Sequence, residues 1–412
     1  MSSVTDRRSL PWTPWRTVVA FGLVSLTADM VYEGMRSIAG PFLGALGASA
    51  LVVGVVTGAG EAMALLLRLA TGPWADRSGR HWRLTVVGYG LTAVCVPLLA
   101  VAPALGSAGV AVAATLILLE RAGKAIRSPS KSALLARVAA DGNLGRAFGV
   151  HKALDQVGAF AGPLVVAATA AVTGVLWPSM AVLAIPGALA LAVLAHLGRR
   201  VPSLREPEPS VDAAATPAPV RRGLGAALGV DLPPAFHVFS AASALATAGL
   251  MTFGVISYRF VEDGLVPLAA APVVYALAMA TAAVAALVTG AAFDRAGARV
   301  LLVVPFLTAA VPLLVFADRL ATVLLGVAVW GVATGVLDST VKAQVAAVVP
   351  PRRRATGYGV FAAVQGLGAV AGGALAGALV THHTSLLAAL VGIAQVGSLV
   401  LLAWTLRRTT AR

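Results

Sequence analysis

The stretch GPWADRSG at residues 72–79 recurs as GAAFDRAG at residues 290–297, an offset of 218 positions along the chain. A second stretch, GAFAG at residues 158–162, recurs as GAVAG at residues 368–372, here at an offset of 210. Because both stretches appear twice and in the same order, the chain contains two copies of one unit. We expect these copies to fold as two equivalent halves, with a functional site at the interface between them.

The composition predicts that both halves lie in a membrane. Of the 412 residues, 58% are apolar and 12% are charged, whereas soluble domains carry about 45–50% apolar and about 25% charged residues. About 20 apolar helical residues are needed to cross a bilayer. By that measure, six spans begin at about residues 15, 50, 83, 107, 145 and 174. Six more begin at about residues 235, 267, 299, 320, 356 and 385. The sequence thus predicts an all-α membrane protein with twelve transmembrane helices in two pseudo-symmetric six-helix bundles.

A segment rich in proline, alanine and charge separates the two halves. We expect a first bundle at residues 1–198, a linker at residues 199–234 and a second bundle at residues 235–412. Arginine and lysine gather in the linker, near both ends of the chain and in every second connection, which is the positive-inside pattern. This pattern accounts for the net charge of +14 without nucleic acid. It predicts a bacterial inner-membrane protein whose termini and linker are cytoplasmic.

No enzymatic motif is visible in the sequence. Cys95 is the single cysteine and lies in an apolar run, and the six histidines do not have the spacing of metal ligands. Fingerprints of zinc, nucleotide and hydrolase sites are absent. We therefore expect no catalytic residue, no cofactor and no metal. The expected partners are a small-molecule substrate, protons and membrane lipids, and we expect a monomer.

Carboxyl groups inside the predicted spans are the candidates for proton coupling, and they are Asp29, Glu33, Glu61 and Asp155. An ionisable group at membrane depth costs roughly 2.5–3.5 kcal/mol unless it is paired or faces water. Asp29, Glu33 and Arg36 lie at positions i, i+4 and i+7, so they share one helical face. Either a carboxyl of this face carries a proton, or the three groups form a fixed salt bridge that holds the first span against a neighbour.

Other polar and aromatic residues are candidates to line a substrate cavity: Arg36, Glu120, Arg121, Lys124, His151, Lys152, Trp330, Asp338 and Lys342. The spacing of Glu120 and Lys124 suits an intrahelical ion pair. The offset of 218 matches Lys124 with Lys342, and two lysines across the pseudo-symmetry axis favour an anionic substrate unless Glu120 and Asp338 neutralise them. Trp330 lies mid-span, where it either stacks on a substrate or packs in the core.

Several residues have structural interpretations. Arg127 is expected to bind Asp76 or lipid phosphate, and Arg68 is expected to pair with Glu61 or with the GPWADRSG stretch. Two Gly-xxx-Gly pairs predict close helix approach, and they begin at Gly54 and Gly373.

The chain resembles the major facilitator superfamily. Residues 72–80 are similar to that family's signature loop between the second and third spans, and Asp294-Arg295 is similar to the second-half echo of that loop. The resemblance implies a gating motif that latches the cytoplasmic side in the outward-open state, made of Gly72, Asp76, Arg77, Gly79, Arg80, Asp294 and Arg295. Gly72 and Gly79 are expected to permit the tight turn of the loop.

One branch of that superfamily, the drug/proton antiporters, is also similar in part. Gly158-xxx-Gly162-Pro163 resembles the motif of that branch in the fifth span, and Arg121 lies where the branch keeps an arginine. The Ala-Gly-Lys-Ala that follows Arg121 departs from the Gln-Gly that is usual there. The resemblance implies a transporter whose substrate is unassigned.

These features favour a secondary active transporter that moves a small solute by alternating access. Proton-coupled export is the first hypothesis. The second is proton-coupled uptake of an anionic metabolite, which Arg121, Lys124 and Lys342 favour. A third class is a non-transporting membrane receptor or lipid-handling protein, which requires charged faces that point at lipid or are fully locked in pairs.

Overall fold

The computed structural model describes four ranges of the chain: residues 12–138, 144–206, 230–350 and 353–410. Within these ranges the chain is helical and contains no β-strand. The side chains of Asp76, Asp294 and Lys342 lie outside the described set. What the sequence predicts for these three side chains therefore stays a prediction.

The α-helices of the first half are α1 Pro14–Ala45, α2 Ala50–Ser78, α3 His81–Leu98, α4 Gly109–Val138, α5 Leu144–Thr173, α6 Trp177–Val182 and α7 Ala184–Arg200. Those of the second half are α8 Pro234–Leu250, α9 Phe253–Glu262, α10 Ala271–Ala296, α11 Val304–Val315, α12 Leu320–Val348, α13 Arg354–Leu379 and α14 Thr384–Thr410. Short 3-10 segments lie at Leu99–Ala108, Pro202–Arg205, Leu268–Ala270 and Gly297–Val303.

The ends of α1 and α2 follow local sequence signals. The Thr13 hydroxyl accepts a hydrogen bond of 3.4 Å from the backbone N–H of Arg16, and Pro14 fills the first helical position, where its missing N–H costs nothing. Helix α2 ends at Gly79, whose backbone is left-handed with φ 61°, a conformation that favours glycine. The turn predicted for Gly79 is confirmed. The turn predicted for Gly72 is wrong, because Gly72 lies inside α2.

Eleven segments of the described chain are long and apolar enough to cross a membrane. Ten of them have 19–32 residues, and the remaining one, His81–Val138, has 58. A straight helix of that length would measure about 87 Å, whereas the hydrocarbon core is about 30 Å thick. The backbone is non-helical at Gly106 within this segment, and α3 packs against α4. The prediction of an all-α, multi-pass membrane protein is confirmed.

The sequence repeat is also a repeat of helix contacts. In each half the first helix packs against the fifth span. Two glycines of the fifth span lie directly against backbone carbonyls of the first helix, a contact that a Cβ atom would prevent. The contacts are Gly158 on Leu26 and Gly162 on Met30 in the first half, and Gly368 on Ala244 and Gly372 on Ala248 in the second. The first helices are again offset by 218 positions and the fifth spans by 210, so α1 with α5 corresponds to α8 with α13.

The two halves meet along α2 and α13 through glycines. The backbone of Gly54 lies against the carbonyl of Gly373, and a Cβ added at Gly58 would lie 2.7 Å from the carbonyl oxygen of Ala369. A methyl group at such a contact would collide with backbone rather than with a movable side chain. The predicted close approach of the Gly-xxx-Gly helices is confirmed, and the two pairs approach each other.

The contact between the halves is tightest at one end of the bundle. Beside the turn between α1 and α2 at residues 46–49, Gly40 lies directly against the backbone of Gly254 in α9. The hydroxyls of Thr57 and Thr252 share a hydrogen bond of 2.7 Å across the same interface. We call this end of the bundle the far end.

We call the opposite end of the bundle the basic end, because arginines gather there. They lie at or next to the ends of α2, α7 and α14 and are Arg77, Arg80, Arg199, Arg200 and Arg407. Toward this end the glycine contacts between the halves are looser. A Cβ added at Gly359 in α13 would first meet Leu69 of α2 at 3.6 Å, an ordinary side-chain contact. Among the glycine contacts described, backbone contacts between the halves extend from the far end to the middle of α2 and α13, where a Cβ added at Gly366 would lie 3.3 Å from Cα of Ala62.

Candidate functional site

A set of ionisable side chains converges inside the first half, between α1, α2, α4 and α5. We call it the charged cluster, and it consists of Asp29, Glu33, Arg36, Glu61, Arg68, Glu120, Arg121, Lys124, Arg127, Lys131, His151, Lys152 and Asp155. Spacings of three, four and seven residues place the members of each helix on one face. Every acidic member and five of the basic ones lie within 4 Å of a polar partner in the cluster. Packing between four helices thus brings together most of the residues predicted from the sequence.

Glu61 is held by two arginines. Its Oε1 lies 2.8 Å from the Arg36 guanidinium and 3.6 Å from that of Arg121. A carboxylate between two guanidinium groups stays ionised, so its charge is matched inside the membrane. Of the two partners predicted for Arg68, Glu61 is taken by Arg36 and Arg121. The pairing of Arg68 with the GPWADRSG stretch stays a prediction, because the side chain of Asp76 lies outside the described set.

Glu33 connects the first half to the second. The hydroxyl of Tyr275 in α10 donates a hydrogen bond of 2.5 Å to Glu33 Oε2. Arg36 lies 3.8 Å from the same oxygen, and Lys124 Nζ lies 4.0 Å from Oε1. Tyr275 is fully buried, so the contact between the halves passes through a buried carboxylate.

Tyr32 lies at the centre of the cluster, although the sequence reasoning did not single it out. Its hydroxyl accepts a hydrogen bond from the Arg121 guanidinium. The Lys124 ammonium lies over its ring, 3.3 Å from the ring centroid, where the quadrupole of the ring attracts a cation. Its position three residues after Asp29 and four before Arg36 places it among these residues, and this is the signal that could have identified it.

Glu120 and Arg127 form a buried pair between α3 and α4. Glu120 is completely buried and Arg127 is 3% exposed. The Thr92 hydroxyl donates to Glu120 Oε1 at 3.1 Å, and Arg127 lies 3.9 Å from that oxygen. The predicted pair of Glu120 with Lys124 is wrong, because Lys124 turns to Glu33 and Tyr32 instead. Arg127 lies inside the first half rather than at lipid phosphate.

Asp29 and Asp155 are close enough across α1 and α5 to share a hydrogen bond. Asp155 also accepts from Ser25 at 3.0 Å and from Lys152 at 2.8 Å, and Asp29 lies 3.6 Å from Arg127. A hydrogen bond between two carboxyl groups needs a proton on one of them, since two carboxylates in contact cannot both stay ionised. This pair is the place in the cluster where a bound proton would relieve the repulsion between two carboxyl groups.

Ser25 ties further basic groups to the same pair. Its hydroxyl accepts from Lys131 Nζ at 2.9 Å and lies 3.4 Å from Nε2 of His151, which is buried. Lys152 is 66% exposed on its side chain, so it lies at the margin of the cluster. The carboxyl pair is therefore surrounded by cations on α4 and α5.

The second half carries a neutral version of the carboxyl pair. By the offsets of 218 and 210, Asp29 corresponds to Thr247 and Asp155 to Gln365. Gln365 Nε2 donates a hydrogen bond of 3.2 Å to the Thr247 hydroxyl. The same helix contact is thus bridged by polar side chains in both halves, and only the first-half bridge contains groups that titrate.

Two predicted cavity residues lie outside the cluster. Trp330 is 2% exposed, and its indole N–H donates to the carbonyl of Leu250 at 2.9 Å. Helix α8 ends at Leu250, so Trp330 stabilises the break before α9, in agreement with the packing interpretation. Asp338 is exposed and interacts electrostatically with Arg68 across the halves.

Within the described residues no group of three His, Cys, Asp or Glu side chains is arranged to hold a metal ion. Three arginines of the predicted gating motif have exposed side chains at the basic end. Arg77 lies at the end of α2, Arg80 lies just before α3, and Arg295 lies at the end of α10.

Two repeated helical bundles that meet around buried charges define a membrane transporter, not an enzyme. The family model of the Major Facilitator Superfamily matches residues 21–280 and 266–412. The chain belongs to this superfamily of secondary transporters, as the resemblance in the signature loop implies. It is 48% identical over 364 residues to the uncharacterized protein Rv2265 of Mycobacterium tuberculosis and to the uncharacterized protein Mb2288 of Mycobacterium bovis, covering 88% of this chain and 86% of each relative.

Solved structures of transporters share the fold. A POT family transporter in complex with 5-aminolevulinic acid superimposes with a TM-score of 0.76 at 14% identity, covering 95% of this chain and 96% of that chain. The nucleoside transporter NupG gives 0.72 at 14% identity, with 95% and 98% covered. An inward-facing, occupied bacterial homolog of the human lysosomal transporter Spinster gives 0.65 at 16% identity, with 97% and 96% covered. At these identities the likeness concerns the fold alone.

Proposed function

We propose that the chain is a proton-coupled secondary transporter of a small solute, with Asp29 and Asp155 as its proton site. The proposal is supported by the proximity of these two carboxyl groups, held by Arg127, Ser25 and Lys152, at a position where the second half has the neutral pair of Thr247 and Gln365. A merely structural bridge does not need titratable groups, as the second half illustrates. The first-half bridge therefore has a property beyond packing, which is the binding of a proton.

Loss of that proton changes the packing of α1. Two carboxylates left in contact repel each other, and the nearest counter-charges pull them apart, toward Arg127 for Asp29 and toward Lys152 for Asp155. Helix α1 also carries Gly40, which lies against Gly254 of the second half. A shift of α1 on α5 is thus transmitted to the closed contact at the far end, which links proton release to alternating access.

The proposed topology has twelve crossings in two bundles of six, with residues 1–198 and 235–412 as the bundles and 199–234 as the linker. The twelfth crossing comes from the break at Gly106, which divides His81–Val138 into two packed helices. We place the basic end in the cytoplasm of a bacterial inner membrane by the positive-inside rule. The conformation is then closed outside and open toward the cytoplasm, and one chain in lipid is the proposed functional unit.

Export of the solute in exchange for protons is the proposed direction. Its support is the Gly158-xxx-Gly162-Pro163 motif of α5, which packs on the helix that carries Asp29. Uptake of an anionic solute together with protons is the second candidate, and the excess of cations in the cluster favours it. Both candidates share the proton site and differ in the sign of the proton flux that accompanies the solute.

The test replaces the first-half pair with the side chains that the second half uses. The double variant Asp29→Thr with Asp155→Gln keeps a polar bridge and removes both carboxyls. The protein is reconstituted in proteoliposomes with an internal pH-sensitive dye, and pooled small-molecule extract from the source bacterium is added outside. The native protein is expected to move protons in response to the extract, and the double variant is expected to lose that response.

The matched control removes the neutral bridge instead, with Thr247→Val and Gln365→Leu, and should keep the proton response. The direction of the pH change separates exchange from co-transport. A double variant of Asp29 and Asp155 that still moves protons at the native rate would show that the proton site lies elsewhere.

A further inference from the structure

We propose that Arg68 and Lys124 bind an oxyanion of the transported solute, a carboxylate or a phosphate, on the wet side of the charged cluster. The inference rests on the proposed transport function and names the substrate class that the same site takes. It depends on which cations of the cluster already have partners and which do not.

Three arginines of the cluster are committed to carboxylates. Arg36 lies 2.8 Å from Glu61, Arg121 lies 3.6 Å from Glu61 and also donates to Tyr32, and buried Arg127 lies between Asp29 and Glu120. Removing any of these partners would leave a buried charge unmatched. These arginines therefore hold the cluster together and are not available to a ligand.

Lys124 has unused hydrogen-bond capacity. Its side chain is 22% exposed, its ammonium lies over the Tyr32 ring, and its nearest carboxylate oxygen, on Glu33, is 4.0 Å away. That distance is too long for a hydrogen bond. None of its three N–H groups is hydrogen-bonded to a described residue, and the carboxylate of Glu33 is already bound by Tyr275 and Arg36.

Arg68 is the second cation with free donors. It lies on α2, seven residues or about 10 Å toward the basic end from Glu61, and it interacts electrostatically with Tyr32, Glu61 and Asp338. It forms no ion pair within 4 Å with a described residue, and its buried Nε has no hydrogen-bond partner. A guanidinium with unused N–H groups presents the fork that carboxylates and phosphates bind in bidentate fashion.

The charge balance of the cluster agrees with an anionic ligand. Seven lysine and arginine side chains face the five carboxyl groups of the cluster and Asp338, which leaves one positive charge in excess, and two when Asp29 and Asp155 share a proton. A cationic solute would be repelled, and a neutral one would leave the excess unmatched. Arg68 of α2 and Lys124 of α4 both interact with Tyr32. An oxyanion between these two cations would accept hydrogen bonds from the unused N–H groups of both.

The experiment uses the full-length native protein in detergent and a small-molecule extract of the source bacterium. Ion exchange divides the extract into anionic, neutral and cationic fractions, and each is tested for its ability to raise the Tm. The anionic fraction is expected to stabilise the native protein in a dose-dependent way. Treatment of that fraction with alkaline phosphatase distinguishes a phosphate, whose effect is lost, from a carboxylate, whose effect remains.

Variants then locate the binding site. Arg68→Gln and Lys124→Gln should each need at least about tenfold more of the anionic fraction for the same shift, because each loses charge-assisted hydrogen bonds. Arg68→Lys should recover part of the effect. Arg199→Gln removes the same charge from an exposed position at the basic end and should respond like the native protein.

The proposal is overturned if the neutral or cationic fraction stabilises the protein, if no fraction does, or if the two glutamine variants respond like Arg199→Gln. The double variant Asp29→Thr with Asp155→Gln should still bind the anionic fraction while it fails to move protons. Loss of proton movement with intact binding, or the reverse, therefore separates a failure of the proton site from a failure of the anion site.

Discussion

Replacement of Tyr275 by Phe removes one hydrogen bond between the halves and leaves the packing in place. The ring of Tyr275 is fully buried and lies 4.7 Å from the ring of Phe253, and Phe keeps that contact. What is lost is the hydrogen bond of 2.5 Å to the Glu33 carboxylate. This bond joins α10 to α1, so it must break when the halves separate at the far end.

The size of the effect follows from the charge of the acceptor. A hydrogen bond to a charged group contributes about 1.5–3 kcal/mol, and each 1.4 kcal/mol changes an equilibrium constant tenfold. The variant should therefore shift the equilibrium from the far-end-closed state to the far-end-open state by about tenfold to about 150-fold. If about 1% of the native protein is open at the far end, at least about 10% of the variant should be open.

The populations can be measured by double electron–electron resonance between spin labels at Val172 and Leu320, which are exposed on the far-end sides of α5 and α12. Cys95 is first replaced by Ser. Tyr89→Phe is the matched control, because the buried Tyr89 hydroxyl has no hydrogen-bond partner. The distance distribution of Tyr275→Phe should gain a longer component that Tyr89→Phe lacks. Identical distributions in the two variants would refute the role of the Glu33–Tyr275 bond in closing the far end.

Two further predictions test the packing. Gly54→Val should block closure of the far end, because its side chain would collide with the carbonyl of Gly373. The spin labels at Val172 and Leu320 should then report a permanently longer distance. Gly90→Val, which has open space at its Cβ position, should leave that distance unchanged. Trp330→Phe should lower the free energy of unfolding by about 1–3 kcal/mol, since it leaves the carbonyl of Leu250 without its donor. A thermal melt in detergent measures this, with Trp404→Phe as the control. Equal melting temperatures for the two variants would contradict the prediction.

The helices and the repeat could be predicted from the sequence because both depend on local pattern. Apolar length gives the spans, and the two offsets that align the glycines of α5 with those of α13 reappear as contacts on Leu26 and Ala244. Close helix approach at Gly54 and at Gly373 follows from small residues at helical spacing, although the spacing does not say that the two pairs meet each other. These properties belong to one helix or to one repeat, so no knowledge of the tertiary arrangement is needed.

The partners of the charged residues could not be predicted in the same way. Spacing within α4 suggests that Lys124 pairs with Glu120, yet Lys124 lies beside Tyr32 and Glu33 of another helix. The choice among several carboxylates depends on how α1, α3 and α4 pack, which spacing along one helix does not contain. The same holds for Tyr275, whose bond to Glu33 joins residues 242 positions apart.

Infrared spectroscopy of the protein in lipid can show whether Asp29 and Asp155 share one proton. A pH titration of the native protein should show the carbonyl band of a protonated carboxylic acid that disappears as the pH rises. We expect the band to be absent from Asp29→Thr with Asp155→Gln and present in Glu61→Gln, because Glu61 is paired with two arginines. A band that persists in the double variant and vanishes in Glu61→Gln would contradict the account.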